Sequence, residues 1–93
     1  MQEDDQPSIS HSYTPPSIPP KVIPTYSENT ANIPISMLER CLYNYIYVWT
    51  KDRRAFWMYP VSLTANEMLF GYQWEDQFWN FIKINAWQIS NFY

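Results

Sequence analysis

Sixteen of the eighteen aromatic side chains of this chain fall within residues 37–93, packed most densely in YNYIYVWT, AFWMYP, MLFGYQWEDQFWNFIKI and WQISNFY, with one glycine, Gly71, among them. So much ring area on so short a segment has to be a packed core, a binding surface, or both. A buried aromatic side chain removes about 150–250 Å² from water. At about 25 cal/mol per Å², six or eight such rings contribute on the order of tens of kcal/mol against chain entropy. Without them a domain of this length lies near the lower limit of independent stability, so large side chains or association must make up for size.

The spacing of the rings assigns the secondary structure. From Leu42 to Thr50, Leu42, Asn44, Ile46 and Val48 alternate with Tyr43, Tyr45, Tyr47 and Trp49. A period of two with β-branched and aromatic residues predicts a strand with one mostly aliphatic and one aromatic face. Lys51-Asp52-Arg53-Arg54 then forms a charged turn, and Ala55–Tyr59 returns as a hairpin strand that Pro60 ends. Asn66–Glu75 is a further strand, Glu75-Asp76-Gln77 turns the chain, Phe78–Ile84 comes back, and Gln88–Phe92 closes the series. The spacing Ser36-Met37-Leu38-Glu39 fits a capping box and predicts a short helical turn leading into the domain.

Glycine in mid-strand costs packing and entropy, so Gly71 marks a bulge, a bend or a close backbone approach. Bent strands and two apolar faces favour closure into a five-stranded Sm-like barrel over an open, bent antiparallel sheet; either way the domain is all-β. Its core is expected from Phe70, Phe78, Phe81 and Phe92 with Ile46, Val48, Leu69, Ile82, Ile84 and Ile89. Tyr43, Tyr45, Tyr47 and Trp49, with Trp57 and Trp79, are left as a candidate interaction face, since an exposed aromatic patch marks an interface. The alternative is that these rings stack across strands, half buried, and stabilise an undersized domain.

Residues 1–36 have the opposite character. They hold seven of the eight prolines, interleaved with Ser, Thr and Asn, and carry Glu3, Asp4, Asp5 and Glu28 against Lys21 alone. Proline lacks the amide proton and holds its predecessor extended, so neither helix nor central strand propagates here. A disordered acidic tail with polyproline II character around Pro15–Pro24 is expected. Within it Pro16, Pro19 and Lys21 read as P-x-x-P-x-K, the form in which a polyproline II helix and one cation dock on an aromatic groove. A solvated spacer is favoured for the tail, with docking on the protein's own aromatic face as the competing reading.

Several classes of function receive no support. A neutral domain with an acidic tail has no electrostatic footprint for nucleic acid. His11, the one histidine, lies in the tail, and Glu75 and Asp76 are adjacent turn residues, which on an extended chain point to opposite faces, so no catalytic, metal or cofactor site is expected. Cys41 is the single cysteine and reads as a small apolar side chain at the edge of the core. The first residues, MQEDDQPS, lack the pattern of a secretory leader, and no uncharged run approaches the roughly 20 residues of a membrane-spanning helix. Synthesis in the cytoplasm without a leader is the expectation.

The motif order carries two resemblances. Tyr47 and Trp49, Phe56-Trp57, Tyr59-Pro60, Gly71-Tyr72, Trp74, Trp79, Phe81, Ile84, Ile89 and Phe92 follow a pattern Y-x-W…FW-x-YP…GYRW…W-x-F…I-x-x-F. In this the domain resembles short uncharacterised aromatic-rich proteins of spore-forming Firmicutes, with Gln73 standing where that pattern has a base. That resemblance implies a spore-associated setting. More distantly, Pro60 and Gly71-Tyr72 are similar in layout to WYL and Sm-like small barrels.

Three roles remain. The first is a non-enzymatic structural or interaction module that self-associates, weakly or obligately, or packs into an assembly with another protein through its aromatic face. The second is a binding module whose Trp and Tyr rings stack on carbohydrate or proline-rich peptide. The third is a WYL-like ligand sensor with a basic pocket of Arg40, Lys51, Arg53 and Arg54.

Overall fold

A computed structural model describes residues 14–26 and 34–93. Five antiparallel strands, β1 (Ile46–Thr50), β2 (Ala55–Leu63), β3 (Met68–Glu75), β4 (Phe78–Asn85) and β5 (Ile89–Phe92), form one sheet in the order β4-β3-β2-β1-β5. A helix of five residues, α1 (Ile35–Glu39), precedes them, and a 3-10 turn (Ala86–Gln88) joins β4 to β5. The fold is all-β, as the alternation requires. The sheet is open, however, and the expected barrel does not close: β5 is four residues long and pairs with β1 alone, while β4 pairs with β3 alone.

The sheet is nonetheless strongly bent. In a flat sheet β4 and β5 would lie four strand spacings apart, about 19 Å. The link between them is the three-residue 3-10 turn, which advances about 2 Å per residue. The two edges therefore approach each other at this corner. Backbone bonds fix it there, with Lys51 N–H donating to the Gln88 carbonyl (2.8 Å) and Ala86 N–H to the Glu67 carbonyl (2.8 Å).

Gly71 lies where β2 bends. Its partner across the ladder is Pro60, and the β2–β3 register shifts between Pro60 and Ser62. A Cβ on Gly71 would stand 2.5 Å from the Tyr59 carbonyl oxygen and 2.6 Å from Pro60 Cα, so the close approach excludes any side chain. The strand expected to stop at Pro60 continues to Leu63. The β1–β2 ladder starts at Ile46↔Met58, so Pro60 lies beyond it and its missing donor breaks no β1 bond. Its carbonyl accepts from Tyr43 N–H at 2.7 Å.

Three further expectations are corrected. β1 starts at Ile46 instead of Leu42, because Tyr43 has φ 65 and interrupts the pleat. The Ser36 capping box is not used, since Pro34 occupies the N-cap of α1 with no side-chain cap bond. The core differs as well. It consists of Leu38, Ile46, Val48, Phe56, Met58, Leu69, Ile84, Ala86 and Ile89, with Ile82 and Phe92 packed against it. Phe78 and Phe81 are exposed at 69% and 58%. Phe78 stands at the tip of the β3–β4 hairpin, and Phe81 on the edge strand, so neither has neighbours enough to cover it.

Two of the three hairpin turns fall where the charged residues placed them. The Thr50 hydroxyl bonds the Asp52 carboxylate and accepts Arg54 N–H at 2.9 Å, while Arg53 takes φ 68 to turn the chain. Asp76 and Gln77, with φ 55 and 69, form the two-residue turn between paired Glu75 and Phe78. Cys41 packs at the rim of the core, its thiol donating to the Met37 carbonyl at 3.3 Å, and burial raises its pKa. Among the described residues no helix is long and apolar enough to cross a membrane.

Candidate functional site: an aromatic face covered by the proline-rich segment

The alternation of β1 sends Ile46 and Val48 into the core and Tyr47 and Trp49 to the opposite face. Register extends that opposite face across the sheet. Tyr47 is paired with Trp57, Tyr59 with Tyr72, and Trp74 with Trp79. The rings pack edge to face: Tyr47 against Trp49 and Trp57, each with centroids 5.1 Å apart, and Trp74 against Trp79 at 5.1 Å. Tyr45, just before β1, lies 5.1 Å from Tyr59 and stacks on Trp79 of β4 at 5.9 Å. Such contacts add about 0.5–1.5 kcal/mol each beyond the area they bury.

The six rings singled out from sequence divide. Tyr47 and Trp57 are buried, at 8% and 9% exposure. Tyr45, Trp49 and Trp79 are half-buried on the same face. Tyr43 is 47% exposed and stands outside β1, in the segment that its positive φ turns away. Tyr59, Tyr72 and Trp74 belong to the face and were missed. Their alternation in AFWMYP and FGYQWE carried the signal, but AFWMYP is apolar on both sides, and in FGYQWE the side of Phe70, Tyr72 and Trp74 is the more apolar one and so reads as core by pattern alone. Tyr59 is 9% exposed, and burial, followed by the neighbouring Tyr45 and Tyr43, raises its phenol pKa above the ordinary value.

What covers this face is the proline-rich segment. Where a solvated spacer was favoured, residues 14–26 lie against the sheet, without helix or strand, and bend at 16–17 and 21–22. The expectations for residues 1–13 and 27–33 lie outside the described residues. Contact centres on Ser17, whose N–H donates to the Tyr45 hydroxyl (2.9 Å) and whose carbonyl accepts Trp79 Nε1–H (2.8 Å). The Ser17 and Tyr45 hydroxyls share a third bond at 2.7 Å. The first two use the backbone of Ser17, which a chain with no internal hydrogen bonds leaves free.

Prolines flank this anchor. Pro15 and Pro19 are buried, while Pro16 and Lys21 are exposed. The P-x-x-P reading placed Pro16 and Pro19 on one side, as a three-residue turn requires. The bend at 16–17 shifts the buried pair to Pro15 and Pro19, four residues apart. Further on, Pro19, Lys21 and Ile23 border Trp57 and Trp74 around a crevice of about 330 Å³. The segment ends with Tyr26 edge-on to Trp49 at 5.2 Å. Nothing in the sequence singled out Ser17; Tyr26 was visible as one of two aromatics in the tail.

The basic residues do not gather as the ligand-sensor reading required. Lys51, Arg53 and Arg54 border one cleft at the β1–β2 turn, whereas Arg40 caps α1 and is not among the cleft residues. Among the described residues no three His, Cys, Asp or Glu side chains could together hold a metal ion. No family model matches the chain, and neither a curated protein nor a solved structure does.

Proposed function

We propose that the protein is a non-enzymatic protein-interaction module whose aromatic face takes a proline-rich segment, and that it links chains by accepting this segment from a second copy or another protein. The observation that carries the reading is the double grip on the Ser17 backbone by Trp79 Nε1 and the Tyr45 hydroxyl, with Pro15 and Pro19 buried on either side. Aromatic rings that hydrogen-bond an extended backbone and pack on prolines are a recurring mode of proline-rich peptide recognition. Two of the three bonds that hold Ser17 are to its backbone, so that part of the grip serves a segment of different sequence. Because the rings of this face pack on one another and lie under the proline-rich segment, peptide is favoured over carbohydrate there. A spore setting, where chains are joined into durable layers, would suit such a linker.

The test uses the full chain and a fluorescent peptide of residues 14–26. A full-length Pro15→Ala/Pro19→Ala variant, its own segment loosened, is expected to bind the peptide more tightly than the unmodified chain, by anisotropy. Light scattering is expected to show mass rising with concentration for the unmodified chain. Absence of peptide binding by the variant would remove the recognition reading. A strictly monomeric chain at high micromolar concentration would remove the linking of copies.

A further inference from the structure

The covering segment ends at a place with its own chemistry. Tyr26 and Trp49 are two walls of a cleft of about 500 Å³ at the β1–β2 turn, and Lys51, Arg53 and Arg54 are among the others. The four-residue turn carries three cations and one carboxylate, Asp52. That carboxylate is committed. It accepts the Thr50 hydroxyl, which with the nearby Arg54 guanidinium holds its pKa below the usual range, and it pairs with Arg54 Nε at 3.0 Å. Lys51 lies 5.7 Å from the centre of the Trp87 ring, a contact that leaves its charge uncompensated. Arg53, held at φ 68 by the turn, has no carboxylate partner among the described residues.

The geometry points to this cleft as an acidic subsite of the peptide face: the segment that the face takes carries a carboxylate within about three residues after its last docked position. This rests on the peptide-binding reading above. Extended chain advances about 3.3 Å per residue, so a docked peptide whose carboxylate follows its aromatic end by one to three positions has the reach of a cleft lined by both Tyr26 and the cations. The subsite also gives the face a direction, because a proline-rich segment running the other way would bring its acidic end to Ser17's position, where Tyr45 and Trp79 offer no cation. In the sequence, Glu28 follows Tyr26 by two positions, so this chain's own segment, offered to a second copy, has the required form.

The experiment uses the full-length Pro15→Ala/Pro19→Ala chain and two labelled peptides of residues 14–29, one with the native Glu28 and one with Glu28→Gln. The Glu28 peptide is expected to bind about threefold to fivefold more tightly at low salt, the range of an exposed ion pair. That advantage is expected to vanish at high salt and in the Lys51→Gln/Arg53→Gln variant. Equal binding of the two peptides at low salt, or an advantage that survives both high salt and loss of the cations, overturns the subsite while leaving the peptide reading intact. Failure of both peptides to bind overturns the peptide reading and the subsite together. The salt series needs no change in the turn, so the test holds even if the turn variant does not fold.

Discussion

The two faces of the sheet are both apolar and both covered, yet they are covered in different ways. The aliphatic face is closed from within the domain, by Leu38 of α1 and by Ala86 and Ile89 around the 3-10 turn, and its central residues Val48, Met58 and Leu69 have no exposure at all. The aromatic face is closed by a separate stretch, residues 14–26, that forms no strand and is anchored at Ser17. Aliphatic side chains interlock with cover that the domain itself supplies. Rings with polar edges offer a donor, Trp79 Nε1, and an acceptor, the Tyr45 hydroxyl, that match the carbonyl and N–H of an extended backbone. One face is closed by elements of the fold itself, and the other by a segment held largely through its backbone.

The sharpest way to break this contrast is to cut into each face and compare. Leu69→Ala, in the middle of the aliphatic face, is expected to lower global stability by about 2–5 kcal/mol in chemical denaturation, with the whole sheet lost in one transition. Gly71→Ala acts on the same side through the backbone, since its Cβ would collide with Tyr59 O and Pro60 Cα. Its expected cost is about 1–3 kcal/mol by the same measurement. Trp79→Phe keeps a ring on the aromatic face and deletes the bond to Ser17, worth about 0.5–1.5 kcal/mol. Its effect should be confined to the cover. Exchange of the Ser17 amide, which donates to the Tyr45 hydroxyl, is expected to speed up about threefold to tenfold as the cover loosens, while β1–β3 amides stay protected. A Trp79→Phe chain that lost as much global stability as Leu69→Ala would show that the cover belongs to the core.

How much of this was legible in the sequence follows from where the pattern was unambiguous. Alternation located every strand, because Ile46–Thr50, Met68–Glu75 and Phe78–Asn85 each read apolar on at least one side with period two. Charged turns located two of the three hairpins, since Lys51–Arg54 and Asp76-Gln77 hold no large apolar side chain. The barrel was over-read, as bent strands are needed for closure but do not provide the last ladder. Phe56 and Met58 were left out of the core because AFWMYP is apolar on both sides, and Phe78 and Phe81 were placed in it because ring size was taken for burial. The docking of residues 14–26 was underweighted for a different reason. Composition describes what a segment does in water, and here the deciding term is a surface contributed by residues 28 to 62 positions further along the chain.

The pairing of β5 with β1 bears on how the chain acquires its shape. β1 meets β2 through a four-residue turn, so that hairpin forms early and locally. Its other flank waits for Phe92 to reach Val48, a closure across the whole remaining domain. Distant closures of this kind are slow steps in folding. Until it happens, β1, buried at four of its five residues in the finished sheet, presents an unpaired backbone edge, the feature that recruits stray strands from other molecules. During synthesis, therefore, the interval between the appearance of Thr50 and the arrival of the last strand is when this protein is most exposed to misassembly.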